Sequence, residues 1–381
     1  MPTFTVETVT PLFLGGADPR GAPELRAASF RGALRFWLRA LLGGVLGDDP
    51  SAVRSFESRV FGSTDHASPV VVRVQSGSLA TQPFSGLAAG QPGIGYLFFA
   101  ARSTHAEPER SAFTVGSTMT VTLSLRSGVE GLEALQRALA AFWLLTRLGG
   151  LGARARRGAG SLQVKEAAGV PDDLPSFVSS ASTPQALQLE LHAGLSRLRR
   201  LVGGPQPVHN PSVFDVLHPT VCRIWVVDRV FPSWMEALEA VGVFLSTFRR
   251  QRSGIEFPAV RAASGGRSTL PPIERAILGL PIVFFDPSVR RPLGILEGQE
   301  HDRRASPLLI RVTRLGSQYG LVLTLFRTQF LPPGEQLVLR DSSGGRGVLA
   351  RGPVPHWTWL EGALLPALAK EVGALLEVTG W

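Results

Sequence analysis

Residues 148–160, LGGLGARARRGAG, place five glycines and three arginines within thirteen positions. Glycine loses more conformational freedom on folding than any other residue, so a cluster of glycines indicates tight turns or backbone that lies close to a ligand. Exposed amides of such a loop can form an anion-binding concavity, and arginine adds forked hydrogen-bond donors for phosphate. The segment is therefore a candidate anion site, and the alternative is a disordered loop with solvated charge.

The common nucleotide-binding motifs do not explain this loop. GLGARA, residues 150–155, satisfies the dinucleotide pattern G-x-G-x-x-G/A, but that pattern must follow a strand and open a helix. Here the loop is predicted to follow a helix and open a strand. The lysine and the spacing of the P-loop are absent. The remaining pattern is two G-x-G pairs, one on each side of the three arginines. Within the first pair, Gly152 is expected either to approach a phosphate or to adopt a positive φ.

A second candidate is the sequence SFRG, residues 29–32, at the predicted start of a helix. Ser29 is expected to cap this helix, and Arg31 would lie near free amides whose dipole favours phosphate. Arg35 and Arg39 follow Arg31 at four-residue intervals, so the three side chains share one side of the helix. The alternative is a capped helix with an ordinary surface arginine.

Arginine dominates the charge of the chain. The 381 residues carry a formal net charge of +9, and of the 39 basic residues only Lys165 and Lys370 are lysines. This balance indicates a polyanionic partner, and arginine grips phosphate and stacks on bases in the way that single-stranded nucleic acid requires. A GC-rich genome would also raise the arginine content, but it would not explain the clusters.

The composition excludes several classes of protein. With 44% hydrophobic and 18% charged residues the chain can bury a full core. No stretch resembles a membrane helix or a signal peptide, so we expect a cytoplasmic protein without membrane contact. Cys222 is the only cysteine, which excludes an intramolecular disulfide and a zinc site built on several thiolates; it is predicted to be a buried hydrophobe. No motif indicates a cofactor, a metal or a small-molecule substrate.

The hydrophobic pattern predicts an α+β protein with two domains. The first half is expected to follow the order β, α, β, β, α, β of a ferredoxin-like plan, and a second, more decorated copy is expected after a linker. The predicted domains are residues 1–167 and 186–381, with the linker at 168–185. In the first half, strands are expected at 3–10, 68–75, 94–103, 117–125 and 161–167, with helices at 29–47 and 129–148. In the second half, strands are expected at 186–193, 222–230, 281–285, 307–315 and 319–326, with helices from Ser233 and Trp357 and long loops at 203–212, 253–272 and 331–356.

The glycine loop resembles that of the RAMP superfamily, the repeat-associated RNA-binding proteins of CRISPR effector complexes. Four other segments are similar, in the expected order, to the first Cmr subunits of type III-B complexes: residues 10–18, 24–43, 279–285 and 303–312. The resemblance covers nearly the whole chain. It implies two tandem ferredoxin-like (RRM-like) RAMP domains, whose antiparallel sheets carry helices on one face.

The resemblance also implies a function. A protein of this kind would have no catalytic residues, would contact guide RNA near its 3′ portion, and would help to capture target single-stranded RNA together with other Cmr subunits in antiviral defence. Carried over position by position, the implied RNA-binding residues are Gly15, Gly16, Arg26, Ser29, Arg31, Arg35, Gly152, Arg154, Arg156, Arg157, Arg303, Arg304 and Ser306.

Two other functions remain open from the residues. Some RAMP relatives process guide precursors without a metal, which requires a general base, and the histidines at 192, 209, 218 and 301 are the possible bases. His209 and His218 share an unusual loop with Asp215 between them, although turn and packing roles would also explain this trio. The other alternative is a scaffold whose basic residues only neutralise neighbouring subunits.

Overall fold

Two four-stranded antiparallel sheets with the same strand topology organise the chain, and a third sheet is inserted in the second half. These features belong to a computed structural model. It describes residues 1–128, 130–265, 269–286, 288, 291–341 and 347–381.

The first half forms a ferredoxin-like unit. Its strands alternate buried apolar and partly exposed polar residues, as in β1, where Phe4 and Val6 face the core. The elements are β1 (Thr3–Thr8), α1 (Ala27–Leu46), α2 (Pro50–Phe61), β2 (Val70–Ser76), β3 (Thr81–Pro83), α3 (Phe84–Ala88), α4 (Pro92–Leu97), β4 (Ser111–Phe113), β5 (Thr118–Leu125), α5 (Leu132–Arg147) and β6 (Leu162–Ala168). The sheet order β2-β5-β1-β6, with antiparallel neighbours, is that of the predicted plan.

The second half repeats this topology. Its elements are α6 (Pro184–Val202), β7 (Cys222–Val227), α7 (Trp234–Ser264), β8 (Ile282–Asp286), β9 (Arg291–Gly298), β10 (Leu308–Leu315), β11 (Gln318–Phe326), β12 (Leu337–Arg340), β13 (Val348–Gly352), α8 (Leu365–Val372) and β14 (Leu375–Glu377). The sheet order β10-β11-β7-β14 matches that of the first unit, with α7 and α8 in the places of α1 and α5. The prediction of two tandem ferredoxin-like units is therefore confirmed.

The extra sheet was not predicted as a separate layer. It has the order β13-β12-β9-β8 and is antiparallel throughout. Two of its strands precede β10 and two follow β11, so segments on both sides of one hairpin build it. The strand predicted at residues 281–285 belongs to this insertion and not to the ferredoxin-like sheet.

Several predicted elements are wrong. Residues 94–103 lie in α4 and in a 3-10 turn, Phe99–Ala101, and residues 186–193 lie inside α6. Short apolar runs fit both the two-residue repeat of a strand and the 3.6-residue repeat of a helix, and these two runs are helical in the structure. Residues 253–264, predicted as loop, continue α7 to Ser264. The closing helix ends at Val372, and β14 follows it.

The two units share their hydrophobic interior. One cluster joins Phe4, Trp37 and Trp143 of the first unit to Leu191 and Phe326 of the second half. The helix α6 contributes to this union because it contacts both α1 and β7. A core of this kind fixes the two sheets relative to each other.

The predicted linker packs against the first unit. Leu174 and Phe177 are buried in its core, and buried Arg147 donates to the carbonyls of Ser176 and Phe177 at 3.1 Å each. The division of the chain at 168–185 stays a prediction. Cys222 is buried, as predicted.

Within the part of the chain that the structure describes, none of the helices has the length and apolar character needed to cross a membrane.

Candidate nucleic-acid interface

The glycine loop, residues 148–160, is folded onto the segment that follows β1. The Ala153 amide donates to the Phe13 carbonyl at 2.9 Å, and the Gly160 amide donates to the Pro11 carbonyl at 2.8 Å. The Leu151 amide closes the loop by donating to the Gly160 carbonyl at 2.9 Å. The loop is therefore held by backbone hydrogen bonds, which contradicts the alternative of a disordered loop.

Backbone conformation explains two of the loop positions. Gly152 has φ +82°, and a Cβ there would overlap the Phe13 carbonyl oxygen. The positive φ expected at Gly152 is confirmed. The group that the Gly152 backbone closely approaches is the Phe13 carbonyl of this protein. Arg154 has φ +62°, the only positive φ of a non-glycine residue in the described ranges. Such a conformation costs about 1–2 kcal/mol, so the contacts of this arginine must hold it in place.

A cleft of about 990 Å³ lies beside the loop and is bounded by both ferredoxin-like units. The first unit supplies the segment after β1, the first turns of α1, the α4 region and the glycine loop. The second half supplies α7 and the segments 278–283 and 303–309. Nine of the predicted RNA-binding residues line this cleft: Gly15, Ser29, Gly152, Arg154, Arg156, Arg157, Arg303, Arg304 and Ser306.

Arg154 lies across an aromatic residue of the cleft. Its Nε donates to the Leu97 carbonyl at 2.7 Å, and its guanidinium lies 5.1 Å from the centre of the Phe99 ring. Burial lowers the pKa of Arg154, and the nearby Arg249 lowers it further. The other guanidinium nitrogens make no hydrogen bond within the described residues, so they can donate to an anion in the cleft.

Arg156 and Arg157 join the loop to the second half. Arg156 donates to the Ser306 carbonyl at 2.7 Å and to Asp215 Oδ2 at 2.5 Å. Arg157 donates to the Leu278 carbonyl at 2.8 Å. Burial, helped by neighbouring arginines, lowers the pKa of Arg157 to about 9, so this side chain is still a cation at neutral pH. These two arginines position the loop, and Arg157 is too buried to be a surface contact.

The 303–306 segment supplies one free and one tethered cation. Arg303 is exposed, and its side chain makes no hydrogen bond or ion pair with the described residues. Arg304 donates to the Gln329 carbonyl at 3.3 Å, and burial lowers its pKa although Asp215 opposes this effect. The Ser306 hydroxyl donates to the Leu308 carbonyl at 3.1 Å, so it stabilises the local turn of the backbone.

Three further residues of the cleft were missed by the sequence analysis. Arg249 on α7 lines the cleft and is half-buried without a side-chain partner in the described ranges. Tyr96 and Phe99 also line it, and Phe99 is 58% exposed. The run FRRQR in α7 was an available signal for Arg249. The apolar run at 94–103 predicts a strand, and a strand would not present Tyr96 and Phe99 to this cleft together with the glycine loop.

Four predicted residues do not line the cleft. Arg35 donates to Glu57 Oε1 at 2.5 Å and to the carbonyls of Phe61 and Gly62 at 2.7 and 2.8 Å, so its guanidinium is engaged in joining α1 to α2. The others are Gly16, Arg26 and Arg31; the two arginines make no side-chain hydrogen bond with the described residues.

The expected helix cap is wrong. The helix α1 begins at Ala27, two residues earlier than predicted, and Arg26 holds the cap position without a side-chain cap. The Ser29 amide donates to the Arg26 carbonyl at 3.1 Å, which places Ser29 inside the first turn. Arg31 consequently lies in the second turn, away from the free amides of the helix start.

His209, Asp215 and His218 do not form one hydrogen-bonded group in the described part of the chain. His209 Nδ1 lies 2.8 Å from Asp48 Oδ1, whereas Asp215 is held by Arg156 and by the Thr328 hydroxyl at 2.8 Å. Burial lowers the pKa of His218. No hydrogen bond links Asp215 to either histidine in the described part of the chain, and no group of three metal-binding side chains occurs there.

The charge of the cleft is one-sided. Six arginines line it, whereas none of its described wall residues is an Asp, Glu, His, Lys or Cys. Such a wall attracts a polyanion. The exposed Phe99 ring beside Arg154 offers a face on which an unpaired base can stack.

Comparison with known proteins agrees with this architecture. A family model of the RAMP superfamily matches residues 5–163. The CRISPR system Cmr subunit Cmr1-2 of Pyrococcus furiosus is 35% identical over 180 residues, and the match covers 42% of this chain and 94% of that protein. The Cmr subunit Cmr1-1 of the same organism is 28% identical over 343 residues, 86% of this chain and 88% of that protein.

Solved structures show the same fold. The apo crystal structure of Cmr1 from Pyrococcus furiosus superposes with a TM-score of 0.61 at 22% identity and covers 100% of this chain and 99% of that one. A chain in the cryo-EM structure of the type III-B Cmr-beta bound to cognate target RNA gives a TM-score of 0.58 at 12% identity, over 97% and 99% of the two chains. From the sequence relatives and the shared fold together, the chain belongs to the RAMP superfamily, within the Cmr1 family of CRISPR Cmr subunits.

Proposed function

We propose that this protein is a non-catalytic RNA-binding subunit of a type III-B Cmr complex, and that single-stranded RNA lies in the arginine-lined cleft. The finer part of the proposal is that the RNA includes guide RNA near its 3′ portion, and that the cleft helps the complex to capture target RNA in antiviral defence.

One observation carries the proposal, namely six arginines on the wall of one cleft with no carboxylate among the described wall residues. A phosphate backbone supplies the matching charge. Arg249 and Arg303 have no partner in the described ranges and are free to contact it, and Phe99 can stack a base. A surface of this kind contacts the backbone and reads little sequence, so specificity would come from pairing between guide and target.

The relatives support a place in a ribonucleoprotein complex. Both curated relatives are Cmr subunits, and one structural neighbour comes from a type III-B Cmr-beta bound to cognate target RNA. The non-catalytic part is supported by the wall chemistry, because the described wall residues offer neither an imidazole nor a carboxylate as general base.

The test is a salt titration of single-stranded RNA binding. The variant Arg249→Ala/Arg303→Ala should weaken binding of all sequences alike and flatten the dependence of log K on log salt by about 1.4, or about 0.7 for each lost phosphate contact. The matched control is Arg200→Ala/Arg250→Ala, which removes the same charge from exposed positions outside the cleft wall. An equal loss in both variants would mean that net charge, and not the cleft, binds the RNA.

Incubation of labelled RNA with the purified protein tests the non-catalytic part. We expect no cleavage with or without a chelator. Metal-independent cleavage that disappears in His209→Ala or His218→Ala would establish the nuclease instead. Pull-down of the tagged protein from its native host, followed by identification of copurified RNA and proteins, tests the guide RNA and the neighbouring subunits.

A further inference from the structure

A second cavity of about 410 Å³ adjoins the cleft. We call it the side pocket. It shares three wall residues with the cleft, Phe36, Arg303 and Arg304. The two cavities are therefore neighbours, and Arg156 of the cleft wall is paired with Asp215 of the pocket wall at 2.5 Å.

The inner wall of the side pocket is apolar. Val213, Phe214, Phe330 and Leu331 line it together with Phe36. The rings of Phe36 and Phe214 are half-buried, and Val213 is 43% exposed. The Arg156 guanidinium lies 5.2 Å from the centre of the Phe36 ring. A flat ring system in this concave wall would therefore lie against Phe214 and the part of Phe36 that Arg156 leaves open.

The polar side chains of the pocket carry an excess of positive charge. Arg39, Arg303 and Arg304 line it. Arg39 is 42% exposed and shares Glu57 with Arg35, its own Nη1 lying 3.1 Å from Glu57 Oε2. The three guanidinium groups therefore have spare donors for an anion.

The opposing groups of the pocket are already paired. Asp215 accepts from Arg156 at 2.5 Å and from the Thr328 hydroxyl at 2.8 Å. His301 Nδ1 lies 2.7 Å from Glu335 Oε2, which couples this imidazole to a carboxylate. Asp215 offsets part of the charge of Arg304, whereas Arg303 makes no ion pair with the described residues. The pocket thus combines apolar and cationic wall residues.

From this geometry we infer that the side pocket receives one nucleotide of the RNA strand, with its base on Phe36 and Phe214 and its phosphate at Arg39 and Arg303. The inference rests on the proposed function, because the strand must first occupy the cleft. Pockets of about 300–1,000 Å³ hold small organic ligands, so 410 Å³ accommodates a single nucleotide. The strand therefore leaves the cleft past Arg303 and Arg304.

The variant Val213→Trp tests the inference by filling the pocket. The Val213 side chain is exposed, and the Val213 amide keeps its hydrogen bond to Asp48 Oδ2, now 2.8 Å, whatever the side chain. The matched control is Val213→Ala, which leaves the pocket open. The probes are fluorescent oligouridylates of four and twelve nucleotides, and thermal melts verify that both variants fold.

We expect Val213→Trp to raise the dissociation constant of the twelve-nucleotide RNA by at least about fivefold, the lower bound for the loss of one stacked base. The dissociation constant of the tetranucleotide should change by less than about twofold. Arg249→Ala should weaken both. Unchanged binding of the long RNA by Val213→Trp, with both RNAs weakened by Arg249→Ala, would reject the side pocket and retain the cleft. Unchanged binding in Arg249→Ala would reject the cleft itself.

Crosslinking of the wild-type chain gives a second measurement that needs no variant. Irradiated 5-iodouridine RNA should crosslink to peptides that contain Phe36, Phe214 or Phe330. Crosslinks confined to Tyr96 and Phe99 would overturn the inference. So would a Val213→Trp chain that binds the long RNA normally but no longer joins the complex, since a segment of a neighbouring protein would then occupy the pocket.

Discussion

The arginines of the cleft fall into two groups according to their contacts. Arg156 and Arg157 spend their donors on carbonyls and a carboxylate of the second half. Arg249 and Arg303 have no side-chain partner in the described ranges. The loop sequence alone suggested that all its arginines face RNA. It could not show which of these arginines would form hydrogen bonds within the protein. Ser306 and Leu278 lie more than a hundred residues further along the chain, and Asp215 also lies in the second half.

Binding of single-stranded RNA should be nearly independent of pH between 6 and 8.5. Arginine stays protonated in this range, and burial lowers the pKa of Arg157 only to about 9. Affinity should therefore fall only as the pH rises through about 9, where Arg157 loses the charge that strengthens its hydrogen bond to Leu278 and so holds the loop in position. Fluorescence anisotropy across a pH series measures this. A loss of affinity centred between pH 6 and 7 would show that a histidine contributes; no histidine is among the described wall residues of the cleft, whereas His301 lines the side pocket.

Gly152→Ala should lower the free energy of unfolding far more than the same substitution at another glycine with a similar positive φ. A Cβ at Gly152 meets both the positive φ and the Phe13 carbonyl. Gly116 has φ +84° with open space around it, so it isolates the backbone strain. We expect a loss of about 1–2 kcal/mol for Gly116→Ala and roughly 3 kcal/mol or more for Gly152→Ala, measured by urea unfolding. Equal losses would contradict the packing of the glycine loop.

At the scale of elements, the sequence predicted most of the framework and missed what depends on long-range contacts. Strand β1 and helices α1 and α5 follow from clear periodicity. The run at 186–193 alternates like a strand, but Leu187, Leu191, Leu195 and Leu198 recur at helical spacing over the longer segment that α6 occupies. The strands β12 and β13 are short and pair with each other, but β12 also pairs with β9, which lies before the β10–β11 hairpin, so no local pattern could assemble the inserted sheet.

The cleft itself could not be predicted as a cavity from the sequence. Its glycine loop was found because glycine and arginine cluster locally. Arg249 and Phe99 were not found, since they enter the wall only through the packing of α7 and α4, which contact each other across the two halves.

Asp48 attaches the 209–213 loop to the end of α1. It accepts from the amides of His209 and Val213 at 3.1 and 2.8 Å, and from His209 Nδ1. Burial would raise the pKa of Asp48, but these hydrogen bonds outweigh it and lower the pKa. Asp48→Ala should therefore cost about 1–3 kcal/mol at pH 7, because two amides lose their acceptor.

The acid dependence of that loss has a defined sign. A carboxylate whose pKa is lowered by folding stabilises the protein above its unfolded pKa, near 3.9, and loses this effect as the pH falls through the folded value. The difference in unfolding free energy between wild type and Asp48→Ala should shrink below about pH 4. A difference that is constant down to pH 2.5 would mean that ionisation of Asp48 is not involved.

Arg311 joins strand β10 to the first unit. It is fully buried and donates to the carbonyls of Gly149 and Leu162 at 2.6 and 2.5 Å. Arg311→Met should lower the unfolding free energy by about 2–4 kcal/mol, because two buried carbonyls lose their donor. Arg314→Met on the same strand is the control, since Arg314 stacks on Tyr319 at 4.8 Å without a side-chain hydrogen bond in the described ranges. Urea unfolding that shows similar losses for both would contradict this role.

At the scale of the whole molecule, the two units should not fold separately. Phe326 and Trp381 lie in the same hydrophobic cluster as Phe4, Trp37 and Trp143. A fragment of residues 1–183 would expose the surface that α6 and β11 cover. We expect it to unfold without a cooperative transition, whereas the full chain should show one. A sigmoidal urea curve for the fragment would establish an independent first domain.

The tethered arginines have a consequence for the kinetics of RNA capture. The contact with the Leu97 carbonyl already fixes the side chain of Arg154 in the free protein, and Arg156 and Arg157 hold the loop itself in place through Ser306 and Leu278. A side chain ordered beforehand does not lose about 0.5–1.5 kcal/mol of rotamer entropy on association. The loop is thus a preorganised rigid template, whose benefit falls on the dissociation rate. The untethered Arg249 and Arg303 instead reach into solvent and accelerate the first encounter, so ionic strength should slow arrival of the strand while leaving its residence time on the template largely unchanged.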